Sequence, residues 1–115
     1  MRFAHVLFIC AAAAAAAILA PPAYCADPAS VVTIKAQDGR FDPQQLQVAP
    51  NQPFKLRVVS AETTPIEFES FELRRERVVK PGEAITVNMP ALTPGIYKFF
   101  DDFHRGTPQG AIVVK

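Results

Sequence analysis

The stretch Lys80–Phe100, KPGEAITVNMPALTPGIYKFF, decides the fold. In KPGE (Lys80–Glu83), Pro81 fixes φ and Gly82 supplies backbone freedom, so the segment reads as a turn. TPG (Thr93–Gly95) reads as a second turn. The runs that follow them, Ala84–Asn88 and Gly95–Phe100, have strand length and no helical apolar period. The same grammar holds upstream. APNQP (Ala49–Pro53) is a turn in which Asn51 is able to take positive φ. A strand is expected at Phe54–Ser60, where in FKLRVV Phe54, Leu56 and Val58 share one face of an extended chain and Lys55 and Arg57 the other. Further strands are expected at Val31–Ala36, Gln45–Val48, Ile66–Leu73 and Gly110–Val114. Seven short strands between turn signals predict an all-β chain folded as a Greek-key β-sandwich. Periodicity alone does not separate this from an immunoglobulin-like module.

The 115 residues suit one domain, but the first 25 read differently. Arg2 is a short positive region, Val6–Ala20 (VLFICAAAAAAAILA) is an apolar run, and PPAYCAD follows with breakers and small residues. This is the pattern of a cleaved secretory signal peptide. The run is short for a membrane span of about 20 residues. Tyr24 before Cys25 is a poor match to a lipoprotein box. Residues 1–25 are therefore expected to be removed, leaving Ala26–Lys115 as one domain in the periplasm, with no membrane insertion. Cys10 and Cys25 leave with the signal, so the mature chain has no thiolate. Its 11 basic residues balance 11 acidic ones, which offers nucleic acid no basic face.

The chemistry-bearing residues are few. His104 is the one histidine of the mature chain. It follows Asp101 and Asp102 in YKFFDDFHRGTPQG, and an imidazole with carboxylates in one turn makes a partial metal site of mixed N and O donors. The plainer reading is a surface histidine, with Asp capping backbone donors after a strand. Upstream, Ile66 and Phe68 fall on one strand face, and Glu67 and Glu69 on the other, roughly 7 Å apart. Either this pair is a solvated face neutralised by Arg74, Arg75 or Arg77 on a charged edge strand, or a cation sits between the carboxylates. No nucleophile elbow, cysteine nucleophile or phosphate-binding glycine loop is present.

The whole of residues 31–115 resembles the cupredoxins. The matching stretches are RFDPQQLQVAPNQPFKLRVVS (Arg40–Ser60) and KPGEAITVNMPALTPGIYKFF. A blue-copper site like that family's would need a cysteine near Asp101, a histidine at His104, a methionine near Pro108 and another histidine near Ile66. Only His104 is present, so an ordinary electron-transfer cupredoxin is not expected. The motifs EFES-x-x-L-x-R-E-x-V (Glu67–Val78), PG-x-Y-x-FF (Pro94–Phe100) and FH-x-x-T-x-x-G (Phe103–Gly110) are similar to a narrower group, the small periplasmic cupredoxin-like proteins of bacterial ferrous-iron uptake systems. That resemblance implies iron or copper as the bound ion and ferroxidase activity as the reaction. It implies an inner-membrane iron permease and a periplasmic iron-binding protein as partners. It carries the metal role onto Glu67, Glu69 and His104, and less directly onto Glu76, Asp101 and Asp102. A copper carrier using the same ligands, or a metal-free interaction module, are the alternatives. The oligomeric state stays open, a homodimer included.

Overall fold

A computed structural model describes residues 29–115; the expected signal segment, with Cys10 and Cys25, lies outside them. The described chain forms nine strands and one 3-10 turn. The strands are β1 (Ser30–Gln37), β2 (Arg40–Asp42), β3 (Gln45–Val48), β4 (Phe54–Ser60), β5 (Ile66–Ser70), β6 (Arg75–Val79), β7 (Ala84–Met89), β8 (Gly95–Asp101) and β9 (Gly110–Val114). The 3-10 turn, Asp102–His104, follows β8 directly. Two sheets result, one ordered β2-β1-β4-β7 and the other β3-β9-β8-β5-β6. The β1–β4 and β3–β9 pairs are parallel and the rest antiparallel. Among the described residues no helix is long and apolar enough to cross a membrane.

The all-β sandwich is as the alternation predicts, with nine strands rather than seven. Strands β3, β4 and β9 have the expected bounds. The two additional strands arise at two turns, one marked by the dipeptide Asp38-Gly39 and one with no glycine. Asp38 and Gly39 both take positive φ (53° and 71°) and return the chain as the short β2, paired through Gln37 and Arg40. The expected strand Ile66–Leu73 stops at Ser70, because Arg74 adopts φ 52° without a glycine to mark it. The Ser70 hydroxyl accepts from the Leu73 N–H at 3.2 Å and closes that turn. RERVV then runs back as β6 on the edge of its sheet.

Both sheets contribute inward side chains to one core. Ile34, Leu56, Val58 and Val87 come from one; Ile66, Phe68, Val79, Phe99, Ile112 and Val114 come from the other. The burial of β4 alternates along its length, with Phe54, Leu56 and Val58 inside. At one end of the core, Phe41, Phe68 and Phe99 meet with ring centroids 5.1 to 6.5 Å apart. Phe41 packs edge-on against both others, the arrangement favoured by ring quadrupoles. This trio lies beneath the β5–β8 pairing, where Phe68 faces Asp101 and Glu69 faces Phe100 in register.

Gly110 makes the trio's packing possible. A Cβ there would lie 2.2 Å from the Phe99 ring and 3.0 Å from the Gln44 carbonyl oxygen. Phe99 is fully buried and has no space to retreat. Gly110→Ala is therefore expected to destabilise the domain by about 1–3 kcal/mol, the usual cost of overpacking. Urea unfolding measures this; a midpoint equal to wild type contradicts it.

Candidate metal centre

Parity along three adjacent strands brings carboxylates onto one outer sheet face. Phe68 points into the core, so Glu67 and Glu69 of β5 point away from it. Glu76 of β6 is the register partner of Glu69 and shares that face. On β8, Phe99 and Asp101 are buried, so Phe100 projects to the same side as Glu69, and the 3-10 turn that follows brings the Asp102 carboxylate to that face. Glu67, Glu69 and Asp102 each place a carboxylate oxygen within 4.8 Å of the others. Glu76 borders this group, and its carboxylate acts on that of Glu67.

The surroundings sharpen the charge. Glu67 is only 9% exposed, and Asp102 is half-buried. Asp102 Oδ1 is shielded from solvent and accepts no hydrogen bond among the described residues. Burial, followed by the Glu76, Asp102 and Glu69 carboxylates, pushes the Glu67 carboxyl above its ordinary value. Burial also raises Glu69, helped by Asp102 and Glu76 and opposed by the Arg105 guanidinium. Crowded carboxylates with few donors gain from a proton or a cation placed between them.

Asp101 has a different task. Its Oδ1 accepts from the Glu67 N–H at 3.0 Å and the Phe103 N–H at 3.1 Å. Its Oδ2 lies 2.7 Å from His104 Nδ1. One buried carboxylate thus ties β5 to the end of β8 and caps the 3-10 turn that presents Asp102. His104 stands outside the three-carboxylate group. With Nδ1–H donated to Asp101, its Nε2 faces the Thr64 hydroxyl at 3.4 Å.

Of the six residues singled out from the sequence, Glu67, Glu69 and Asp102 converge, and Glu76 borders them. Asp101 and His104 form a separate hydrogen-bonded pair alongside. Arg105 and Thr64 were not anticipated. Arg105 Nη2 is 2.7 Å from Asp102 Oδ1. The spacing of three residues is visible in the sequence, but it acquires meaning only through the 3-10 turn.

The donor set is chemically selective. Carboxylate oxygens suit hard cations, whereas a blue-copper centre requires a thiolate. Among the described residues there is no cysteine. The residues present fit an oxygen-rich ion site and do not fit a blue-copper one.

Comparison with known proteins agrees with the fold. The family profile described as "Cupredoxin-like domain" matches residues 3–114. An uncharacterised protein of Rickettsia prowazekii (strain Madrid E) is 40% identical over 83 residues, covering 72% of this chain and 66% of the relative, just under two thirds of its length. Auracyanin A, a "blue" copper protein from Chloroflexus aurantiacus, superposes with a TM-score of 0.64 at 14% identity, over 76% of this chain and 100% of that one. The metal-binding domain of the Cu(I)-exporting P-type ATPase from Streptococcus pneumoniae D39 gives 0.63 at 14% identity, over 74% and 84%. A purple cupredoxin from Nitrosopumilus maritimus gives 0.54 at 14%, over 72% and 98%. At these identities the structural likenesses speak to the fold.

The raised carboxyls generate a prediction for the metal-free protein. A carboxyl that holds its proton more tightly when folded lowers stability as pH rises from its ordinary value of 4.5 through its folded value. The penalty is absent below that window and complete above it. Replacing Glu67 and Glu69 together by Gln removes it. With chelator present, the double variant should equal or exceed wild type in stability at about pH 7, and that advantage should shrink towards about pH 4. Urea unfolding at both pH values checks this. A stability difference independent of pH contradicts it.

Proposed function

The chain belongs to the cupredoxin-like domain family, and we propose that it is a periplasmic member that binds ferrous iron on its outer-face carboxylates and promotes its oxidation for uptake. The observation that carries this reading is the convergence of Glu67, Glu69 and Asp102 within 4.8 Å. Anionic oxygen donors stabilise Fe³⁺ more than Fe²⁺, because the ion of higher charge gains more from each carboxylate. Iron is here the substrate. The protein's contribution is electrostatic and positional: it holds preformed negative charge where positive charge develops. Each Fe²⁺ oxidised gives up one electron, which dioxygen accepts in the test below. The partners in this reading are an inner-membrane iron permease and a periplasmic iron-binding protein, with the signal-like segment delivering the chain to them.

A second reading is copper carriage by the same residues. The copper-binding descriptions of the structural neighbours favour it, as does the general order in which Cu²⁺ outbinds Fe²⁺ at a given site. The two readings share a binding site and differ in what happens to the ion. Oxidation of Fe²⁺ above the uncatalysed rate belongs to the first alone.

Thermal unfolding with and without anaerobic Fe²⁺, or with Cu²⁺, tests the site. An ion at about 100 times its dissociation constant stabilises the folded state by about 2.7 kcal/mol. For a domain of this size that is a rise of about 15 °C in Tm. Wild type should show it and Glu67→Gln/Glu69→Gln should lose it. The Cu²⁺ form should be pale, lacking the intense visible band of a thiolate complex. Equal shifts in both proteins remove Glu67 and Glu69 from the site. Admitting dioxygen to the Fe²⁺ form should then yield Fe³⁺ faster than in buffer; an unchanged rate retains binding and removes the oxidation step.

A further inference from the structure

Arg105 is the one described cation that acts on the half-buried cluster, and its own side chain is largely exposed. Its Nη2 lies 2.7 Å from Asp102 Oδ1, the shielded oxygen that accepts no hydrogen bond. The approach is therefore a contact of charges rather than an aligned hydrogen bond. The Arg105 side chain is 76% exposed, so water hydrates the guanidinium when it swings away. Arg75 and Arg77 are engaged elsewhere. Arg75 donates to the carbonyls of Leu73, Arg74 and Asn88, and Arg77 to the carbonyl of Glu76. Among the groups that act on Glu69, Arg105 alone opposes the neighbouring carboxylates.

We propose that Arg105 is a built-in counter-ion that occupies the edge of the carboxylate cluster in the metal-free protein and is displaced when a metal ion enters. The inference rests on the carboxylate reading above. An ion held by Asp102 meets the guanidinium within the width of one carboxylate, so the two positive charges compete for the same oxygens. Competition of this kind lowers metal affinity while limiting the mutual repulsion of the empty cluster. It also makes release easier, because the returning guanidinium replaces the departing ion. Such a device suits a protein that must pass its ion on rather than keep it. The penalty scales with the product of the charges, so it is greater for a trivalent ion than for a divalent one.

The test is titration calorimetry of the folded domain with Mn²⁺ and with Tb³⁺, both of which favour oxygen donors, using wild type, Arg105→Gln and Arg105→Lys. Arg105→Gln should bind Mn²⁺ about three- to tenfold more tightly, the scale of removing one exposed competing charge. The gain should be larger for Tb³⁺ and should diminish in high salt, which screens an exposed charge. Arg105→Lys keeps the charge and should stay near wild type. A purely structural role for Arg105 predicts unchanged or weaker binding in Arg105→Gln, and either result overturns the proposal. So does a gain of equal size for Arg105→Lys, because charge would then not be the cause. Glu67→Gln/Glu69→Gln in the same titration separates the two claims. If it abolishes binding while Arg105→Gln changes nothing, only the counter-ion role fails. If it leaves binding intact, the carboxylate reading fails, and the counter-ion role with it.

Discussion

The carboxylate of Asp101 is the constraint on which the candidate site depends. It is buried, and its two oxygens engage three groups: the Glu67 N–H, the Phe103 N–H and His104 Nδ1. The first of these fixes β5 against the end of β8, where the two strands share only two register pairs. The second shapes the 3-10 turn so that Asp102 emerges on the outer face. Without this acceptor the buried Glu67 N–H would be left unpaired, at a cost of about 1–3 kcal/mol, and the part-buried Phe103 N–H would lose its partner. The cluster of Glu67, Glu69 and Asp102 is therefore held by a fourth carboxylate that takes no part in it. Beneath it, Phe41, Phe68 and Phe99 give the same strands a rigid floor.

Much of the fold was legible because burial in a sandwich writes a period of two into the sequence. Phe54, Leu56 and Val58 alternate with Lys55 and Arg57, and β4 has the expected bounds and orientation. What escaped were one short strand and one strand whose turn has no glycine marker. Arg74 takes a left-handed conformation that a glycine would have announced, so the expected strand Ile66–Leu73 overran the end of β5 and β6 was not anticipated. The three residues of β2 are too few to display alternation.

The site was legible to the same extent and for the same reason. Glu67 and Glu69 were placed together by parity. The division between Asp101 and Asp102 is only half a matter of parity: Phe99 and Asp101 turn inward as the last buried positions of β8. Asp102 lies beyond the strand, where parity carries no information, and the 3-10 turn sets it on the outer face. His104 was grouped with the carboxylates by chain proximity. The 3-10 turn instead directs its Nδ1 to Asp101. The resemblance to cupredoxins set a cysteine near Asp101 and a histidine at His104. Here those places hold an acid–imidazole pair joined by a hydrogen bond, and the hard donors gather one residue further on, on the outside of the sheet.

The central claim is one of location: a hard cation belongs between Glu67, Glu69 and Asp102, outside the sandwich and apart from His104. A crystal of the domain grown with iron, with diffraction collected on both sides of the iron absorption edge, tests it directly. The account predicts an anomalous peak bounded by the three carboxylates, with the Asp101–His104 hydrogen bond intact and the Arg105 guanidinium turned away from Asp102. A peak on His104, with the Asp101 hydrogen bond broken to admit it, would contradict the account.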